Sequence, residues 1–195
     1  MTPQPIHRTD PDAAELHASG WARLLDGPLP GGGVEVTRLP LIDSQHRLED
    51  GTPLLARLTY RDALRVAERL GAALPTRDEV RRLHVVGLQL EPITMAITAT
   101  LAGSKKHDAE LWRRLRALGW DGGRPVSGAG KHWIAGAPPG RAYLAGWWTR
   151  RLESYSPTRR GPGWVQEGAT SGPGPHDDGH HDYGTTTILV RRVCR

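Results

Sequence analysis

Thr59-Tyr60-Arg61-Asp62-Ala63-Leu64-Arg65-Val66-Ala67-Glu68-Arg69-Leu70-Gly71, followed directly by Ala72-Ala73-Leu74-Pro75-Thr76-Arg77-Asp78-Glu79-Val80, is the stretch from which the fold is read. Thr59 stands three residues before Asp62, the spacing at which side-chain oxygens take the first free amides of a helix. Tyr60, Ala63, Leu64, Ala67 and Leu70 recur at helical intervals, and Gly71 offers the left-handed stop. A second start follows at once, because Thr76-x-x-Glu79 is a capping box with Val80 and Leu83 one turn apart behind it. Two helices therefore meet at a short, defined corner.

Downstream, Leu111, Trp112, Leu115 and Leu118 share a face, so a further helix is expected over Asp108 to Leu118, closed by Gly119. Upstream, Pro and Gly clusters bracket a short helical candidate over Pro11 to Leu25. Gly31-Gly32-Gly33 then releases into the alternating Val34-Glu35-Val36-Thr37, read as a half-buried strand, and Asp50-Gly51 reads as a turn. Beyond Trp120 helical periodicity disappears. Strands are expected at His132 to Ala135, Tyr143 to Trp148 and, on β-branched content, Thr185 to Val193, with a brief one at Trp164-Val165-Gln166 inside the loop-like Pro157 to Pro175. The expected organisation is one α+β domain over 1–195. It comprises an N-terminal helical extension (1–30), a helix-rich half (31–120) and a loop- and strand-rich half (121–195).

The corner resembles the formylglycine-generating-enzyme (sulfatase-modifying factor) group of the C-type-lectin-like fold. The matching residues are Thr59-Tyr60-Arg61-Asp62-Ala63, Gly71, Leu74-Pro75-Thr76 and Glu79-Val80, and Ile188-Leu189-Val190-Arg191-Arg192-Val193 looks like that group's closing strand. The resemblance implies a C-type-lectin-like scaffold: two or three short helices packed on small antiparallel sheets with long loops. It does not carry activity over, because the catalytic cysteine pair of the sulfatase-activating members has no counterpart; Cys194 is alone. Gly130-Lys131-His132-Trp133, followed by a His/Asp run ending in Asp182-Tyr183, is similar to phage- and prophage-encoded proteins, which implies such an origin here.

One cysteine excludes an internal disulfide and a Cys-x-x-Cys metal knuckle, and fits a reducing compartment. The first residues lack the apolar core of a secretory signal, and no apolar run approaches the ~18–20 residues that span a bilayer, so a cytoplasmic location is expected. A net charge of +5, carried mainly by arginine, is compatible with polyanion binding but bears first on solubility. With no Phe and seven Trp, large aromatic contacts must use indoles, whose N–H groups need partners.

Chemistry-bearing residues concentrate near the C-terminus. His176-Asp177-Asp178-Gly179-His180-His181-Asp182-Tyr183 places three imidazoles and three carboxylates in eight residues, the groups that bind zinc or iron and move protons near neutral pH. A two-His-one-carboxylate metal set would use His176, His180 and Asp182, leaving His181, Tyr183 and the distant His132 as acid–base candidates. The same run also fits a solvated loop closed by Asx turns. Lys131 and Trp133, with Trp147, Trp148, Arg150 and Arg151, interleave rings and cations in a pattern that can grip a polar ligand. Packing of those tryptophans in the core is the competing reading. His84 reads as structural, and His7, His17, His46 and His107 show no partner in sequence.

Three function classes follow. The leading one is a C-type-lectin-like domain that recognises a polar glycan or peptide. The alternatives are a metal-dependent hydrolase, directed at material such as cell wall, and a nucleic-acid-binding protein using the Arg/Trp segment.

Overall fold

The computed structural model of the chain describes residues 6–26, 32–90, 93, 100–127, 130–137, 139, 142–147, 164–165 and 185–194. Among these, the architecture is mixed α+β, with three α-helices and small sheets that are mostly antiparallel.

The expected N-terminal helix is one 3-10 turn, Pro11–Ala13, capped by Asp10. It passes into β1 (Ala14–Glu15) and, after a turn closed by Gly20 at φ 65°, into β2 (Trp21–Asp26). Burial there has period two: Ala22 and Leu24 point inward and Arg23 outward, and that alternation overrides the helical spacing. β3 (Gly32–Thr37) lies between β2 and the last strand, β12 (Val190–Cys194), and is antiparallel to both. β4 (Ile42–Arg47) pairs with β1 on one side and β5 (Pro53–Leu55) on the other.

The corner forms as read. In α1 (Tyr60–Arg69) the Thr59 hydroxyl accepts from the Asp62 N–H, and Gly71, at φ 60°, takes the left-handed conformation that stops the helix. The buried face is Tyr60, Asp62, Ala63, Val66 and Ala67, whereas Leu64 is exposed, so the stripe is turned slightly from the one expected. α2 (Arg77–Val86) opens on a complete capping box between Thr76 and Glu79.

After α2, β6 (Leu88–Gln89) runs parallel to β7 (Val126–Ser127). Between them α3 spans Leu101–Ala117, two turns earlier than expected, and is capped by Thr100. Then β8 (Lys131–Ile134) pairs antiparallel with β9 (Tyr143–Trp147), which is flanked by β10 (Trp164–Val165). The strand expected over Thr185 to Val193 is two pieces in different sheets. β11 (Thr185–Thr186) is parallel to β8, and β12 departs to β3.

The core gathers around three centres. Trp133, fully buried, packs edge-on to Tyr60 with centroids 5.8 Å apart, among Leu58, Val66, Leu74 and Leu144. α3 lays Leu111, Trp112 and Leu115 on Leu39, Leu55 and Val126. α2 seats Val80 and Leu83 against Leu24, Val36, Ile134 and Val190. Among the described residues, no helix is long and apolar enough to cross a membrane.

Candidate metal centre

The sequence-predicted residues divide sharply. His176, His180, His181, Asp182, Tyr183, Trp148, Arg150 and Arg151 lie outside the described residues, and Trp147 ends β9 with only its backbone described. Lys131 is half-buried at the start of β8. Trp133 is a core side chain whose indole N–H donates to the Leu58 carbonyl at 2.9 Å, so it presents no face for a ligand. His132 is buried between β8 and β11, its Nδ1 2.8 Å from the Thr186 hydroxyl, and burial pushes its pKa down to about 4. A neutral imidazole in that position is a packed core group and not a surface acid or base.

The structure assembles a different constellation from His7, Asp43 and His46, on two segments far apart in sequence. In a regular strand Asp43 and His46 would point to opposite faces. The β4–β5 pairing is irregular between Asp43 and Arg47, and that break turns His46 back toward Asp43. Asp43 Oδ1 accepts the backbone N–H groups of Gln45 and His46 at 2.9 and 3.2 Å, which pins the carboxylate on the strand. Its other oxygen, Oδ2, lies 3.0 Å from His46 Nδ1.

His7 arrives from the N-terminal segment, which is anchored where Ile6 bridges Thr100 at the head of α3. Its Nδ1 is 3.0 Å from the Ser104 hydroxyl, and its Nε2 is 3.4 Å from Asp43 Oδ2. That Nε2 is buried and lacks an aligned hydrogen-bond partner. The two imidazoles stand edge to face, with centroids 5.0 Å apart at 78°.

One donor atom from each residue falls within 4.8 Å of the others. A tetrahedral site with bonds of ~2.0–2.1 Å separates its ligand atoms by about 3.3 Å. The 3.0 and 3.4 Å separations to Asp43 Oδ2 therefore match two edges of such a tetrahedron. The Asp43 and His7 side chains are almost wholly enclosed, while that of His46 is 34% exposed, so solvent reaches the cluster on the His46 side. Burial alone would raise the Asp43 pKa; contacts from His7, Thr9, the Gln45 N–H and His46 outweigh it and hold the carboxyl far below its usual range.

A buried polar network continues behind the cluster. The Thr9 hydroxyl donates to Asp43 Oδ2 at 2.8 Å and accepts the Arg57 N–H at 2.9 Å. The Arg57 side chain, fully buried, donates to Asp108 Oδ1 at 2.6 Å, and Asp108 Oδ2 accepts the Leu55 N–H at 2.7 Å. His107 Nδ1 lies 2.9 Å from the same Asp108 oxygen that Arg57 uses. Burial opposes ionisation of Asp108, but the Arg57 charge and His107 overcome it and keep the carboxyl low.

No family model, curated protein or solved structure matches the chain. His7, Asp43 and His46 were not singled out by sequence because the first two stand 36 positions apart, and Asp43-x-x-His46 makes one site only at an irregular strand.

Proposed function

We propose that this chain is a metal-dependent hydrolase of C-type-lectin-like architecture, in which His7, Asp43 and His46 hold one divalent transition metal. The observation that carries the reading is the convergence of three donor atoms: the buried His7 Nε2, 3.4 Å from Asp43 Oδ2 without an aligned hydrogen bond, the ionised carboxylate itself and a second imidazole. A buried polar atom whose only contact is poorly aligned is under-satisfied, and a metal at that point would satisfy it. Ser104 at Nδ1 leaves Nε2 as the nitrogen for coordination, and Thr9 and two backbone amides orient the carboxylate, the kind of outer contact that aligns metal ligands.

Two imidazoles and a carboxylate suit zinc or iron(II). Three protein ligands leave a position open, as catalytic sites do and closed structural sites do not. A metal there would acidify a bound water toward neutral pH and so supply a nucleophile for hydrolysis. The C-type-lectin-like part of the reading is supported by the two capped helices at Pro75 and by the closing strand's return to β3. The nucleic-acid alternative rests on rings and arginines between Trp147 and Trp164, mostly outside the described residues.

The test is metal loading followed by elemental analysis, with cobalt(II) absorption reporting coordination. Close to one metal per chain is expected, with affinity falling at least about tenfold in His7→Gln and His46→Gln. Fewer than about 0.2 metals per chain after exposure to excess zinc and iron(II), or a cobalt spectrum unchanged by His7→Gln, would overturn it.

A further inference from the structure

Away from the metal centre, a groove of about 460 Å³ runs between two turns, with His17, Ser19, Trp112, Arg116, Trp120 and Asp121 among its lining. That volume falls in the ~300–1,000 Å³ range of small-molecule sites. Both walls are fixed by internal bonds. On one side, the Ser19 N–H and hydroxyl meet His17 Nδ1 at 3.2 and 2.9 Å. On the other, the Asp121 carboxylate takes the Gly123 N–H at 2.7 Å and Arg38 donates to the Gly122 carbonyl at 2.9 Å. Gly122 is required where the walls meet: its φ is 84°, and a Cβ there would lie 3.1 Å from that of Ser19.

The chemistry of the lining is split. Both indole N–H groups are committed to backbone carbonyls, Trp112 to Pro53 and Trp120 to Arg124, so the tryptophans offer the groove only carbon surface. Trp112 is largely buried, which leaves half-exposed Trp120 as the platform. Around it stand groups of both hydrogen-bonding senses. His17 Nδ1 accepts from the Ser19 N–H, so the proton of the neutral ring is on Nε2, a donor. Burial lowers the His17 pKa and favours that neutral form. Asp121 keeps a second carboxylate oxygen as acceptor, and Arg116, bound at one nitrogen to exposed Asp50, keeps further donors.

We infer that this groove binds a pyranose ring of a neutral oligosaccharide, with one carbon face on Trp120 and its hydroxyls shared among His17, Arg116 and Asp121. A flat aromatic ligand is held most tightly in a slot between parallel faces. Here the three rings are inclined to one another at 42° to 55° with centroids 5.5 to 6.3 Å apart, so no two of them are parallel and no flat slot lies between them. A strongly charged ligand of either sign meets one repelling group, because Arg116 and Asp121 line the same groove. A neutral polyol with an apolar face and edges that both donate and accept fits all of these features.

The test is an array of neutral oligosaccharides probed with the intact chain, followed by calorimetry on the best binder. Binding at a Kd of about 1 mM or tighter is expected, weakened at least about tenfold by Trp120→Ala and several-fold by Arg116→Ala. Arg116 is exposed and outside the core, so its variant keeps the test valid if Trp120→Ala fails to fold. The inference is overturned if no neutral saccharide on the array binds, if binding is the same in both variants, or if heparin fragments or tetramethylammonium occupy the groove and saccharides do not. None of these outcomes depends on metal content, so the groove and the metal centre stand or fall separately.

Discussion

Lowering the pH from 7 to 4.5 should destabilise the protein through His132 in particular. Its pKa is about 4 in the fold against 6.5 for an ordinary imidazole, with burial as the cause. A depressed histidine pKa means that the unfolded chain binds the proton first, so stability is full above pH 6.5 and drains away as the pH falls toward 4. Linkage over those two values gives a loss of about 2–3 kcal/mol between pH 7 and 4.5. Depressed carboxylates such as Asp62 and Asp108 act lower, since their contribution holds until the pH drops below the ordinary value of 3.8. His17 and His84, also lowered by burial, add in the same direction as His132. The assay therefore compares urea unfolding of the wild type with that of His132→Asn at each pH, so that the other histidines cancel. The wild-type midpoint should fall by about 1 M more than that of the variant, for a denaturant slope of ~2–3 kcal/mol/M. Parallel pH profiles would refute the reasoning: His132 would then titrate as an open imidazole and return as a candidate acid or base.

Trp133→Phe should remove the indole N–H from the Leu58 carbonyl and cost about 1–3 kcal/mol, read as a fall of several degrees in melting temperature. Saccharide binding should be untouched by it, because Trp133 is enclosed in the core. Asp108→Asn should cost about 3–5 kcal/mol by leaving the buried Arg57 charge uncompensated. Combining it with Arg57→Met should recover much of that loss, and a double variant no more stable than Asp108→Asn would show that the charge is not what was stranded.

Where local chemistry decides structure, the sequence is easily read. Thr59, Gly71 and the Thr76–Glu79 box act within three or four residues, and the helices start and stop where those signals stand. The end of the expected Pro11 to Leu25 helix is instead β2, because tertiary pairing with β3 outweighs a weak helical propensity. The first two turns of α3 are illegible in the sequence for a different reason. Its first turns bury Gly103, Ser104, His107 and Asp108, a face with helical spacing but no hydrophobic pattern to reveal it. The proposed metal centre is hidden for the same reason. His7 and His46 find each other only through an irregular strand and a bridge from Ile6 to Thr100, and neither carries a short-range signature.

That polar face of α3 connects the two buried clusters into one construction. Replacing an interior ion pair by apolar residues is often neutral or stabilising, so Arg57–Asp108 adds little to the fold merely by being buried. Its value is geometric. Asp108 holds the Leu55 N–H, Leu55 pairs with Ile42, and the next residue of β4 is Asp43. Arg57 holds Thr9 through its backbone, and Thr9 holds the same Asp43 oxygen that faces both histidines. Two separate paths thus run from the α3 carboxylate to the Asp43 carboxylate, while Ser104, one turn earlier on α3, fixes His7. A single helix face therefore sets two of the three side chains proposed to face a metal. A core built only for stability has no need of that arrangement, whereas a site that must hold its ligand atoms within a few tenths of an ångström does.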